Sequence, residues 1–152
     1  MERHAPPSAV DPYHLQRFIE AQEQTFAQAL EEIRLGDKQS HWMWFIFPQF
    51  DGLGVSPTSR RYAIKSRAEA EAYLRHPILG PRLLESARAA LSVAERSALQ
   101  VFGSPDDRKL QSSATLFASI SAAGSVFEAL LTRFFGGERD DKTLHLLEQT
   151  SA

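Results

Sequence analysis

Ser40-His-Trp-Met-Trp-Phe-Ile-Phe-Pro48 is the stretch on which the fold class turns. Residues 42–47 are all apolar, and a run this short suits a buried helix or a buried strand equally well. Ser40 is placed to cap a helix, while Pro48 ends either element because the residue before a proline is kept out of the helical region. The rest of the chain decides the matter: no other segment offers a convincing strand partner. The run therefore reads as a short buried helix.

Upstream, the apolar positions Leu15, Phe18, Ile19, Phe26, Leu30 and Ile33 recur at steps of three and four, with Gln22 as the one polar break. Asp11-Pro12 supplies a cap and a first-turn proline, and Gly36 is a natural stop, so the spacing predicts one helix over 12–35. The first ten residues, with Pro6 and Pro7, read as a flexible tail, leaving 11–149 as a single helical domain. Downstream, residues 49–56 form a glycine-bearing loop, and helix starts then repeat. They are Ser56-Pro57, the capping boxes at Ser66–Glu69 and Ser92–Glu95, Pro77, Ser104-Pro105, Ser125 and Asp140. The expectation is an all-α, compact bundle of about seven to eight helices.

Composition narrows the functional classes. The chain has 152 residues, 17 basic and 19 acidic, and no cysteine. That excludes a disulfide scaffold, thiol catalysis and cysteine-ligated metal. Residues 1–76 carry 9 basic and 10 acidic groups and residues 77–152 carry 8 and 9, so neither half has the cationic excess that nucleic-acid binding usually needs. Asparagine is absent, which removes N-glycosylation and asparagine-based catalysis. No readable leader and no apolar run near the ~20 residues of a membrane span make a cytoplasmic protein the expectation. Dinucleotide, Walker A, nucleophile-elbow and zincin motifs are missing, and neither metal nor cofactor is expected.

Candidate site residues cluster in two places. Five of the fifteen aromatic residues (Trp42, Trp44, Phe45, Phe47 and Phe50) fall within nine positions. A helix separates Trp42 and Trp44 by about 200°, so one indole can be buried while the other lines a cleft. Such a ring serves either as a stacking wall for a planar ligand or as a core plug. His41 beside it is an acid/base candidate, and the Gln49 amide can read the edge of a base. The second place is the helix opening at Ser104-Pro105. Helical spacing puts Asp106, Lys109 and Ser113 on one side, where a carboxylate, an ammonium and a hydroxyl can bind phosphate or orient water, or simply face solvent. Arg60, Arg61, Lys65 and Arg67 form the one local basic patch, with Arg60 a phosphate candidate.

The segment GDKQSHWMWFIFPQ (36–49) resembles the signature of a bacterial family of unknown function, some members of which have been labelled calpastatin. The likeness extends through LQRFIEAQ (15–22), YAIKSRAEAEAYLRHPILGPRL (62–83), VFGSPDDRKLQSSATLF (101–117) and FFGGERDDKTLHLL (134–147). It implies a mainly helical fold without an established activity. Asp37 and Gln39 stand where the family pattern has a basic residue, and Ala114 where it has methionine. The layout is also similar to a helical family associated with ADP-ribose that includes riboflavin-pathway N-glycosidases. The functional expectation is a small phosphate-bearing ligand, such as a nucleotide or an ADP-ribose-like molecule. The chain then either binds it or hydrolyses an N-glycosidic bond, with His41 and Asp106 as the catalytic pair. Trp42, Trp44, Gln49, Arg60, Lys109 and Ser113 would hold the ligand. The alternative is a non-catalytic protein-interaction module. Nucleic acid and membrane are not expected partners.

Overall fold

The computed structural model describes residues 11–150, so the expected tail at 1–10 lies outside the described residues. Within them the chain forms ten helices. They are α1 (Gln16–Gln22), α2 (Phe26–Leu35), α3 (Met43–Ile46), α4 (Pro57–Arg61), α5 (Arg67–Arg75), α6 (Leu79–Leu91), α7 (Ala98–Phe102), α8 (Asp106–Ser119), α9 (Val126–Phe135) and α10 (Asp141–Thr150). The only pairing of extended backbone among these residues is an isolated parallel bridge between Phe50 and Ile64. The all-α reading therefore stands, with more and shorter helices than the seven to eight expected.

Two departures from the expected boundaries stand out, and the first adds a helix. The helix expected over 12–35 breaks between Gln22 and Phe26. Gln22, the polar break in the apolar stripe, turns inward: its Nε2 donates to the Phe45 carbonyl at 2.7 Å and to the Tyr73 hydroxyl at 3.2 Å. Its Oε1 accepts from Arg82 at 3.2 Å. A buried amide with three partners positions the break, whereas helical periodicity alone reads straight through it. The second departure is at 92–97. The capping box is Ser97–Gln100, opening α7, and not Ser92–Glu95. Ser92 instead ends α6, and its hydroxyl donates to the Ala89 carbonyl at 2.6 Å.

Other local signals are obeyed in part: α1 opens at Gln16 and not at Pro12, α6 at Leu79 and not at Pro77, and α8 at Asp106 with no side-chain cap from Ser104. Ser56, Ser66 and Ser125 accept the N–H three residues on, each cap contributing about 1 kcal/mol. Gly36 and Gly136 end α2 and α9 in the left-handed conformation, at φ 73° and 63°. The central run does become a helix, α3, but Ser40 does not cap it; Trp42 occupies that position.

α8 is the axis of the bundle, packing against α5, α7, α9 and α10. Residues 112–118 are buried without interruption, although three of them bear hydroxyls. Ser112 and Thr115 return their hydroxyls to carbonyls one turn back, at 3.2 and 2.8 Å, so short polar side chains can occupy the centre without unmet hydrogen bonds. Around α8 lies a single aromatic-rich core, in which Phe18, Tyr73, Phe117 and Phe127 follow one another at ring-centroid distances of 5.0–5.7 Å.

Candidate functional site

The central motif builds a lysine–indole cluster. After α2 ends at Gly36, Glu32 reaches forward along the following loop. Its carboxylate accepts from the backbone of Gln39 (2.9 Å) and Ser40 (3.1 Å), the Ser40 hydroxyl (2.7 Å), the Gln28 amide (3.0 Å) and the Trp42 indole N–H (2.8 Å). Burial pushes the Glu32 pKa up, but these donors outweigh it and hold the group at about 2. Pinned this way, the loop lays Lys38 over the Trp42 ring, 4.9 Å from its centroid. The Lys38 ammonium also meets Asp106 Oδ2 at 2.8 Å. One turn along α8, Lys109 meets Asp106 Oδ1 at 3.1 Å and sits 3.7 Å from the centroid of Trp44.

Asp106 thus lies between two ammonium groups, each resting on an indole. Burial works against its charge, yet the two lysines hold its carboxyl below the usual range. The Lys38, Lys109 and Asp106 side chains are only 6, 18 and 18% exposed, so the arrangement is closed. Ion pairs and cation–π contacts of this kind clasp the 37–42 loop and α3 onto α8.

The sequence-predicted residues fare unevenly. Asp106, Lys109 and Trp44 do come together. Gln49 lies beside Trp44 in a hollow closed by Gly54 and Ser59, of about 10 Å³. That is room for roughly one water and not for a base. Trp42 is corrected: it is fully buried, its N–H is spent on Glu32, and it cannot wall a cleft. Ser113 is also corrected, being 1% exposed within the α8 core. Trp44 keeps partial exposure, but the ring face under Lys109 is taken. His41 projects into solvent, with no hydrogen bond or ion pair to Asp106. Arg60 is elsewhere, so the eight residues do not converge on one hollow.

Arg60 belongs to a second region, built by a residue the sequence reading passed over. Arg17 is 7% exposed, and every guanidinium nitrogen is engaged. Nε donates to the Arg61 carbonyl (2.7 Å), Nη1 to the carbonyls of Tyr13 and His14 (2.8 Å each), and Nη2 to the Ala63 carbonyl and Glu69 Oε2 (2.8 Å each). Glu69 in turn accepts the Lys65 N–H at 2.9 Å. One buried ion pair thereby ties the turn before α1 to the end of α4 and the start of α5. It is the floor of a groove of about 340 Å³, whose rim carries Tyr13, His14, Arg60, Arg61 and Lys65.

The groove's charges are unbalanced. Arg17 is offset by Glu69, but Arg60, Arg61 and Lys65 are exposed and have no carboxylate within ion-pair distance among the described residues. Lys65 donates only to backbone carbonyls, and Arg61 lies over Tyr62 at 5.5 Å. A local surplus of three positive charges thus sits on a chain of net charge −2. Arg67 does not join it; its guanidinium donates to the Ser119 carbonyl at 3.2 Å. The buried Arg17–Glu69 pair carried no periodic signal, because a charged residue on a buried helix face reads as an interruption.

Fold and charge distribution define an all-α, single-domain protein with one closed ionic clasp and one open cationic groove. The chain belongs to the family described as protein of unknown function (DUF1810), whose model matches residues 12–147. Among solved structures it is similar to the conserved hypothetical protein Rv1873 from Mycobacterium tuberculosis. The two share 49% identity and superpose with a TM-score of 0.89, covering 91% of this chain and 99% of that one. No curated protein matches it. Among the described residues no helix is long and apolar enough to cross a membrane.

Proposed function

We propose that this protein binds a small phosphate-bearing ligand in the groove walled by Arg60, Arg61 and Lys65. The carrying observation is the trio of exposed cations, without carboxylate partners among the described residues, around a hollow of about 340 Å³. That volume lies at the lower end of the roughly 300–1,000 Å³ of small-molecule sites. Two arginines also suit phosphate, since each planar fork can donate two parallel hydrogen bonds to one anion. The floor is rigid because the Arg17 donors are all committed, so little order has to be imposed on binding.

Binding is favoured over N-glycosidic hydrolysis at Asp106. Both Asp106 oxygens are engaged by ammonium groups, and the hollow beside Trp44, of about 10 Å³, has room for roughly one water. A general base for that reaction must be reached by a substrate or its water, and two ammonium groups stand over this carboxylate, whose side chain is 18% exposed.

Thermal unfolding with pyrophosphate and with mononucleotides, at low and at physiological salt, tests the reading. A ligand at 100 times its Kd stabilises the fold by about 2.7 kcal/mol. The expected result is a salt-sensitive rise in Tm that disappears in the double variant Arg60→Glu/Arg61→Glu. A flat response to every phosphate-bearing compound would remove the proposal.

A further inference from the structure

Tyr13 also lines a second cleft of about 340 Å³, whose character differs from the basic groove. Its walls include Leu15 and Ala72, which are apolar, together with Gln16 and His76, which carry hydrogen-bonding side chains. Asp11 also borders it, but its carboxylate is committed to the backbone N–H groups of Leu15 (2.7 Å) and Gln16 (2.8 Å). His76 Nδ1 accepts from the N–H groups of Ile78 (3.0 Å) and Leu79 (3.3 Å), which assigns the proton of the neutral ring to Nε2 and makes that atom a donor. The Gln16 side-chain amide has no partner among the described residues, so it offers one acceptor and two donors.

Tyr13 is common to both clefts and is 36% exposed. Its position is set from below: Arg17 Nη1 holds the Tyr13 carbonyl, and the next residue, His14, takes the left-handed conformation at φ 54°. Tyr13 on this fixed turn therefore borders both a cation-lined hollow and a partly apolar one that holds no lysine or arginine. One molecule complements both sides if it has an anionic end and a flat, uncharged, hydrogen-bonding head.

We infer that the ligand is a nucleoside phosphate that straddles Tyr13, with its phosphate against Arg60, Arg61 and Lys65 and its base in the Gln16–His76 cleft. This rests on the basic groove being a phosphate site and adds the identity of the group attached to the phosphate. Stacking on Tyr13 is tolerant of base type because every base has a π face, while Gln16 and His76 address its edge.

The test is isothermal titration of the full chain with inorganic phosphate, adenosine and uridine monophosphates, free adenosine and a short single-stranded RNA. The mononucleotides are expected to bind roughly tenfold or more tightly than inorganic phosphate, the stacking contribution of one ring. Gln16→Ala should reduce that advantage while leaving phosphate affinity unchanged; Tyr13→Ala should weaken the mononucleotides more than inorganic phosphate, and Tyr13→Phe should retain the advantage. Arg60→Ala/Arg61→Ala should weaken phosphate and nucleotide together. If phosphate binds but mononucleotides bind no better, the straddling ligand is wrong and the anion site survives. If nothing anionic binds, both readings fall. RNA binding more tightly per site than the mononucleotide would also overturn the inference, since the groove would then be tracking a backbone. Tyr13 and Gln16 are exposed, so an unchanged melting temperature will certify that the variants are folded.

Discussion

The lysine–indole cluster and the arginine groove are both cationic, yet they use charge in opposite ways. In the first, Lys38 and Lys109 share Asp106 and lie on Trp42 and Trp44, with side chains no more than 18% exposed. In the second, Arg60, Arg61 and Lys65 stand in solvent with no carboxylate within ion-pair distance among the described residues, above an Arg17–Glu69 pair that has absorbed the buried charge. A charge whose partners are all internal holds segments together. A charge held in place by a satisfied scaffold, but itself unsatisfied, is available to something outside the chain. The residues that look most chemical in sequence belong mainly to the first class.

This contrast can be broken experimentally, beginning with the largest effect. Trp42→Ala should destabilise the fold by about 3–5 kcal/mol, because it empties the core beside Phe102 and strips Glu32 of its indole donor. Denaturant unfolding measures this. A loss below about 1 kcal/mol would mean that the cluster is not the clasp described here.

Acid should release the same clasp. Glu32 has its pKa lowered from 4.5 to about 2, so its contribution is complete above pH 4.5 and is lost as pH falls toward 2. The shift corresponds to roughly 3 kcal/mol. Glu32→Gln should flatten the stability-versus-pH curve in this window. An unchanged slope in the variant would place the acid sensitivity elsewhere.

Asp106→Asn sharpens the comparison most directly. Left with two ammoniums and no carboxylate, the cluster should lose about 1.5–3 kcal/mol, the range for hydrogen bonds to charged groups. Phosphate affinity in the groove should not change. A folded Asp106→Asn protein with abolished ligand binding would reverse the assignment of the two regions.

The smallest stability effect belongs to the groove. Arg60→Glu/Arg61→Glu should change unfolding free energy by no more than about 0.5 kcal/mol per site while abolishing phosphate binding, because both side chains are exposed and Arg61 only rests over Tyr62 at 5.5 Å. A large destabilisation would make them scaffold after all.

Several elements were legible without coordinates. Ser56, Ser66, Ser125 and Asp140 cap helices where their spacing says they should, and α3 is helical because the 42–47 run has no strand to pair with. The i,i+3 relation of Asp106 and Lys109 was also readable and became a real ion pair. Gln22 shows what was hidden. Its inward turn depends on a carbonyl 23 residues away, a hydroxyl 51 away and a guanidinium 60 away. Lys38 sits inside the quoted motif, but a cation beside aromatics gives no hint of a carboxylate on a distant helix. The one-in, one-out placement of the two tryptophans was legible too, although the exposed ring proved to be capped by Lys109 and not by open space.

By itself, then, the chain determined an all-α domain, several of its helix caps and most of its core, because caps and apolar periodicity act between residues a turn or two apart. Only the tertiary structure decided which charges are consumed and which are offered. That difference is set by pairings such as Arg17 with Glu69 and Lys38 with Asp106, 52 and 68 positions apart, whose strength depends on burial and geometry that no local pattern encodes.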